Sequence, residues 1–133
     1  MKGPRMFMLH GWMDSSATFQ FMVVAFSNAW HVIAPDLRGF GDSDKPDGLF
    51  GPDQQAADMQ ALMDALDLDK AGVVGHDVGG ALMQPLARNA AERLAGLFFF
   101  DFVYPGIGHI PMEETADRSA GDVAAFLGGL PGA

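Results

Sequence analysis

The most informative segment of the chain reads Ala71-Gly72-Val73-Val74 followed by Gly75-His76-Asp77-Val78-Gly79-Gly80. The short apolar run predicts a buried strand, and the glycines on both sides of Asp77 permit a very tight turn into a helix. Such a turn holds a side chain in front of the sheet, beside the backbone amides of a helix start. A carboxylate placed there can attack an electrophilic carbon, so the segment favours hydrolysis through an ester intermediate. Serine is the more usual residue at such a corner.

Composition limits the classes of protein to which the chain can belong. Its 133 residues suffice for one domain, and 49% hydrophobic with 19% charged residues is typical of a globular protein. The formal net charge of −9 argues against a nucleic acid partner, because phosphates attract a basic surface. The absence of cysteine excludes disulfides and thiolate metal sites, and it suits a reducing compartment. With no membrane-length apolar run and no signal-peptide pattern, we expect a cytoplasmic protein without membrane contact.

Strand-like and helix-like segments alternate along the chain. Four short apolar runs predict strands, at residues 5–9, 31–34, 71–74 and 96–103. Helical spacing of apolar residues predicts helices at 16–29, from 52 onward, at 78–90 and after 119. This alternation favours a parallel sheet with helices on both faces, which binds ligands at the carboxyl ends of its strands. Four polar residues lie at or near these predicted ends: His10, Asp36, Asp77 and Asp101.

Four motifs in a fixed order carry a resemblance to a known family. They are His10-Gly11-Trp12, the stretch 32–46, the corner at 75–80, and Gly108-His109-Ile110-Pro111-Met112-Glu113-Glu114. Together they resemble the α/β-hydrolase family, and the corner is similar to the nucleophile elbow of its epoxide hydrolase and haloalkane dehalogenase branches. The resemblance implies an α/β fold with a minimal core of about four parallel strands flanked by helices. We expect one truncated domain over residues 1–133, without the helical cap domain and later core strands of full-length members.

The resemblance implies catalytic roles for three residues. Asp77 is the predicted nucleophile, and His109 is the predicted base that activates water to hydrolyse the ester. Asp101 is the predicted acid that orients His109, since a carboxylate that interrupts an apolar strand needs a partner. Each residue has a simpler interpretation as well. Asp77 would cap a helix, His109 would be a surface-loop histidine, and Asp101 would bond to loop amides.

Further residues are predicted to bind the substrate. The backbone amides of Trp12 and Val78 are expected to form the oxyanion hole. Gly11, which precedes Trp12, is expected to belong to the same binding site. Trp12 is also expected to line the pocket, with simple packing as the alternative. Val78 replaces the tryptophan that many dehalogenases carry beside the nucleophile, which disfavours a haloalkane substrate. Tyr104 is a candidate to polarise an epoxide oxygen in place of the tyrosines of a cap.

The other polar residues near these strand ends have structural interpretations. His10 and His76 are expected to bond to loop backbones around the site. Asp36 and Arg38 are expected to fix the long loop of residues 36–51. The aspartates of that loop do not match a calcium site, and the glycines of the elbow do not match a phosphate loop, so we expect no metal and no cofactor.

Three hypotheses about function follow. The chain is expected to be a weak and broad hydrolase of small epoxide or ester substrates, epoxide hydrolase-like or esterase-like. The alternative is a catalytically degenerate relative that only binds a small molecule or a partner. The third hypothesis is a homodimer or higher oligomer in which a second copy completes the site, because loss of the cap and the outer strands would leave a sheet edge and an apolar face uncovered. The first and third hypotheses are compatible, and we favour them together.

Overall fold

Strands and helices alternate through residues 3–48 and 51–100, the part of the chain that the computed structural model describes. The strands are β1 (Arg5–Leu9), β2 (His31–Ile33), β3 (Ala71–His76) and β4 (Leu94–Phe100). The helices are α1 (Gln20–Phe26), α2 (Pro52–Ala65) and α3 (Val78–Ala90). Two 3₁₀ turns, Ser16–Phe19 and Ala91–Arg93, precede α1 and β4.

The four strands form one parallel sheet in the order β2-β1-β3-β4. The chain moves outward from β1 to β2 and then returns across β1 to β3, so its direction of progression reverses between β1 and β3. In open sheets, ligands bind at the carboxyl ends of the strands where such a reversal occurs. His10 follows β1 and Asp77 follows β3, so both residues lie at this point. The prediction of four parallel strands flanked by helices is confirmed for the described residues.

The reversal places helices on both faces of the sheet. Side chains alternate along β1 with the period of two that a strand imposes, and both sets are fully buried. One face packs against α1 in a cluster that contains Met6, Met8, Phe19, Met22, Phe26 and Val74. The other face packs against α2 and α3 in a cluster that contains Phe7, Leu9, Met59, Met63, Leu82 and Leu86. The carboxyl ends of β1 and β3, which His10 and Asp77 follow, are therefore supported by apolar packing on both faces of the sheet.

Several predicted boundaries are corrected by the structure. β3 extends two residues beyond the predicted Val74, and β4 begins two residues before the predicted Gly96. Both extensions occur because the neighbouring strand offers partners, since Ala71 pairs with Leu94 and His76 pairs with Phe100. The predicted end of β4 at 103 and the helix after 119 lie outside the described residues.

The helices also differ from their predicted limits. The segment predicted as a helix over 16–29 begins as the 3₁₀ turn, where the Ser15 hydroxyl accepts a hydrogen bond from the Ala17 N–H, and α1 ends at Phe26. Pro52 occupies the start of α2, as predicted. α3 continues through Pro85, which is buried. Among the described residues, no helix combines the length and apolar character needed to cross a membrane.

Asp36 and Arg38 fix the long loop after β2, as predicted. The Asp36 carboxylate accepts hydrogen bonds from the backbone N–H groups of Ser16 (2.7 Å) and Asp42 (2.9 Å). The Arg38 guanidinium donates to the Asp58 carboxylate of α2 through Nε (2.7 Å) and a terminal nitrogen (2.6 Å). The loop is therefore tied to the turn before α1 on one side and to α2 on the other.

Candidate active site

Asp77 forms the corner between β3 and α3 in a backbone conformation that few residues adopt. Its φ is 53° and its ψ is −113°. A positive φ is uncommon for a residue other than glycine, and strain of this kind is found most often at functional sites. The Ala81 N–H donates to the Asp77 carbonyl oxygen (2.9 Å), which begins the helix directly after the corner. The predicted elbow is therefore present, with Asp77 at its apex.

The corner requires glycine at two positions because backbone packs directly against backbone there. A β-carbon on Gly75 would lie 2.5 Å from the carbonyl oxygen of Gly79. A β-carbon on Gly79 would overlap the carbonyl oxygen of Leu9, the last residue of β1. The Gly79 N–H also donates to the His10 carbonyl oxygen (3.1 Å). The start of α3 thus lies directly against the end of β1.

This packing brings the chain after β1 onto the Asp77 carboxylate. The Trp12 N–H donates to Oδ2 of Asp77 at 2.8 Å. Gly11 permits the approach, since a β-carbon there would lie 2.9 Å from the β-carbon of Asp77 and 3.2 Å from Oδ2. The structure therefore brings together three of the predicted site residues, Gly11, Trp12 and Asp77. A backbone N–H directed at this oxygen can stabilise negative charge on it.

Val78 is the first residue of α3 and so lies beside Asp77, the predicted nucleophile. Its half-buried side chain packs against the core cluster between the sheet and the helices α2 and α3. The N–H groups in the first turn of a helix have no partner within the helix. The position fits an oxyanion donor, and the role of the Val78 amide stays a prediction.

His10 binds loop backbone, as predicted. Its ring is fully buried, with Nδ1 2.8 Å from the Gly11 carbonyl oxygen and Nε2 accepting a hydrogen bond from the Leu37 N–H (2.9 Å). The ring of Phe40 makes edge contacts with the rings of His10 (5.4 Å between centroids) and Trp12 (5.5 Å). His76 is buried at the end of β3, and its predicted contact with loop backbone stays a prediction.

Phe40 had no predicted role at the site. The signal that indicates it is an aromatic residue between Gly39 and Gly41, in a loop rich in glycine and aspartate. Such a residue needs apolar contact, and here it finds this contact against Trp12.

An open groove of about 440 Å³ lies beside the Trp12 ring. It is lined by Trp12, Met13, Asp14, Gly39, Phe40, Gly41 and Lys45. Trp12 is 65% exposed and Met13 is 83% exposed, so the groove presents apolar surface to solvent. Trp12 thus contributes its backbone N–H to the Asp77 carboxylate and its side chain to this groove.

Three predicted site residues, Asp101, Tyr104 and His109, lie outside the described residues, and their roles stay predictions. Within residues 3–48 and 51–100, no group of three or more histidine, aspartate or glutamate side chains could hold a metal ion. The described part of the site is therefore a carboxylate, a backbone amide and an aromatic groove.

Comparisons with known proteins identify the family of the chain. The family described as alpha/beta hydrolase fold matches residues 4–117. The soluble epoxide hydrolase of Corynebacterium sp. (strain C12) is 39% identical over 100 residues, which are 75% of this chain and 35% of that protein. Epoxide hydrolase 3 of Xenopus tropicalis is 31% identical over 132 residues, which are 98% of this chain and 36% of that protein.

A solved structure shows the same fold. The epoxide hydrolase VrEH1 from Vigna radiata superimposes with a TM-score of 0.72 at 25% sequence identity, over 78% of this chain and 33% of that one. The chain spans about a third of the length of these relatives. Because the family match covers most of the chain, and because its relatives and the superimposed structure are epoxide hydrolases, the chain belongs to the α/β-hydrolase fold family, in its epoxide hydrolase-like branch.

Proposed function

We propose that this chain is a hydrolase of small epoxide or ester substrates, in which Asp77 attacks a carbon of an epoxide and water then hydrolyses the resulting ester. With an ester substrate, a water activated by His109 attacks the acyl carbon directly. The observation that carries the proposal is the hydrogen bond from the Trp12 N–H to Oδ2 of Asp77 (2.8 Å), made at a strained strand-to-helix corner. The relatives that are named epoxide hydrolases support the choice of an epoxide.

In the first step, Oδ1 of Asp77 attacks a carbon of the epoxide ring while Oδ2 accepts the hydrogen bond from Trp12. The new carbon–oxygen bond forms as the ring carbon–oxygen bond breaks, and the released electron pair stays on the epoxide oxygen. That oxygen takes a proton from Tyr104, its predicted donor, or from water. The product of this step is an ester between Asp77 and the opened substrate.

In the second step, water attacks the carboxyl carbon of Asp77, and His109 is the proposed base that takes the proton of the water. Negative charge then develops on Oδ2, which is the carbonyl oxygen of the ester. The Trp12 N–H already donates to this oxygen before the reaction, so it needs no rearrangement to stabilise the charge. Asp101 is the proposed partner of His109. The bond between the carboxyl carbon and Oδ1 then breaks, and Oδ1 takes the proton held by His109 and leaves as part of the diol. Asp77 keeps Oδ2 and one oxygen of the attacking water.

The fate of that oxygen tests the proposal. A single turnover of styrene oxide by an excess of the 133-residue chain in ¹⁸O-labelled water is expected to place the label in the Asp77 peptide, as read by mass spectrometry, and to leave the first diol unlabelled. Label in the diol with none in Asp77 would contradict a covalent intermediate. Asp77→Ala is expected to abolish turnover, and full turnover by this variant would reject Asp77 as the nucleophile.

Two further variants separate the steps. His109→Gln is expected to form the ester and then fail to hydrolyse it, so the mass of the substrate should accumulate on Asp77. Asp69→Ala is the matched control, because Asp69 is an exposed carboxylate that precedes β3, whereas Asp77 follows the opposite end of that strand. Its rates should equal those of the wild type.

The alternative of a binding protein gives a different result in the same experiments. It predicts that styrene oxide or its diol raises the Tm of the chain while no ester and no product form. The predicted homodimer or higher oligomer and the cytoplasmic location stay predictions. Light scattering of the chain at micromolar concentration measures the first of these.

A further inference from the structure

The peptide group between Gly11 and Trp12 is held at both of its ends. Its N–H, which belongs to Trp12, donates to Oδ2 of Asp77 at 2.8 Å. Its carbonyl oxygen, which belongs to Gly11, lies 2.8 Å from Nδ1 of His10. Because a trans peptide group is planar and its N–H and C=O point in opposite directions, a contact that fixes the carbonyl also fixes the direction of the N–H.

The hydrogen bonds of His10 determine which ring nitrogen carries the proton. Nε2 accepts from the Leu37 N–H (2.9 Å), so it carries no proton. Nδ1 faces a carbonyl oxygen, which can only accept, so Nδ1 carries the proton and donates it. The neutral Nδ1-protonated tautomer satisfies both contacts. The ring is fully buried, so water does not compete for either bond.

Glycine at position 11 makes this restraint necessary. A β-carbon there would lie 2.9 Å from the β-carbon of Asp77, so only glycine fits. Glycine also leaves the adjoining peptide group freer to rotate than any other residue would. The donor on His10 removes that freedom, since rotation of the peptide group would break the bond to the Gly11 carbonyl.

We propose that His10 is a positioning residue of the reaction: its Nδ1–H holds the Gly11 carbonyl and thereby keeps the Trp12 N–H directed at the oxygen that becomes the oxyanion. This inference rests on the proposed function. It assigns a role in the reaction to a histidine whose hydrogen bonds are to backbone groups. A series of hydrogen bonds runs from the Leu37 N–H through His10 and the peptide group to Asp77, and bonds in series polarise and strengthen one another.

Two substitutions separate the two contacts of the ring. In H10N, the side-chain amide places an N–H donor near the position of Nδ1 but does not reach Leu37. In H10Q, the longer side chain places an amide oxygen near the position of Nε2, where it accepts from Leu37, and offers no donor at Nδ1. Both variants replace the ring with a buried amide, so a role in packing alone predicts similar losses from both.

The rate at which the ester on Asp77 is hydrolysed should differ between these variants. H10Q is expected to hydrolyse the ester about 100-fold more slowly than the wild type, with little change in the rate of ester formation, because the oxyanion develops only when water attacks the ester. H10N is expected to recover most of this loss. The proposal would be overturned if the two variants had equal rates while thermal unfolding showed that both are folded.

Nuclear magnetic resonance of the wild-type chain gives a readout that does not depend on activity. The ¹⁵N shifts of the His10 ring should show the proton on Nδ1, and the Trp12 amide proton should exchange slowly with solvent. Slow exchange should persist in H10N and be lost in H10Q. A proton on Nε2 in the wild type would overturn the proposal even if H10Q does not fold. Absence of any ester on the wild-type chain would instead reject the proposed function, so the two failures are seen in different measurements.

Discussion

Gly79 packs against Leu9 so closely that a β-carbon on the glycine would overlap the Leu9 carbonyl oxygen and lie 2.7 Å from the Leu9 carbonyl carbon. The contact joins the first turn of α3 to the last residue of β1. Because the Trp12 amide follows β1 and Asp77 precedes α3, this contact also sets the distance between the two groups of the site. The backbone on both sides belongs to regular elements and has little freedom to yield.

Gly79→Ala is therefore expected to lower the free energy of unfolding by at least about 2 kcal/mol, since added atoms in a packed core force the backbone apart. Gly80→Ala is the matched control in the same helical turn. A β-carbon there would make an ordinary contact of 3.6 Å with Phe99, and alanine is favoured over glycine in a helix by up to about 1 kcal/mol. Urea unfolding measures both variants, and equal stabilities would show that the contact with Leu9 is not rigid.

Gly11→Ala is expected to reduce ester formation on Asp77 by about 100-fold, because the new β-carbon would displace either the Asp77 side chain or the Trp12 amide. Gly51→Ala serves as the control. Gly51 precedes α2 with a φ of −98°, and a β-carbon there would meet no atom within 4 Å. Single-turnover rates with styrene oxide compare the two. A Gly11→Ala chain with wild-type rates would rule out the close approach of the two segments during the reaction.

Asp36→Asn should change how stability depends on pH. The pKa of the Asp36 carboxyl lies below its ordinary value of 3.8 because the backbone N–H groups of Asp42 and then Ser16 donate to the carboxylate. A lowered pKa in the folded state contributes stability above the ordinary value, and this stability is lost as the pH falls through the lowered pKa. The variant should be less stable than the wild type by about 1–3 kcal/mol near neutral pH.

The difference between Asp36→Asn and the wild type should then narrow as the pH falls below about 4, where this carboxyl begins to take up a proton in the unfolded chain, and should be lost as the pH falls through the lowered pKa of the folded chain. Urea unfolding at neutral and acid pH measures this difference directly. A gap that is the same at both pH values would mean that the substitution acts through its shape and not through its charge.

Removal of Arg38 should lower the Tm more than removal of Arg88. Arg38 makes two hydrogen bonds to Asp58, a half-buried carboxylate whose pKa is lowered mainly by this contact. Arg88 makes one longer contact of 3.2 Å with Asp53, and both of these side chains are mostly exposed. Two hydrogen bonds to a half-buried carboxylate stabilise the folded chain more than one contact between exposed side chains. Calorimetry of Arg38→Ala and Arg88→Ala compares them, and a larger fall for Arg88→Ala would contradict the assignment of Arg38 to the loop.

The parts of the fold that depend on local pattern could be predicted from the sequence. The limits of β1 and the corner at Asp77 are confirmed, because alternation of buried side chains and the spacing of glycines are local properties. The limits of β3 and β4 were wrong by two residues at one end each, because pairing with a neighbouring strand sets them. Nothing near Leu94 in the sequence indicates that it pairs with Ala71.

The candidate site also has one part that could be predicted from the sequence and one part that could not. The motif around Trp12 predicted that its amide lies near Asp77, and the hydrogen bond between them agrees. The double restraint on the peptide group before Trp12 could not be predicted, because it depends on how the loop after β2 packs. Leu37 and Phe40 reach the His10 ring only through that packing.

The reversal of the chain between β1 and β3 also determines when the site can assemble. Trp12 and Asp77 are 65 residues apart in the sequence, and they meet only after β3 has paired with β1 across the intervening segment. Contacts that close such long loops are slow to form, since the entropy of closure is lost before the contact stabilises the chain. During refolding, we expect helical signal to return first and the ability to form the ester on Asp77 to return last. The return of reactivity at Asp77 would then report the time at which the sheet is complete.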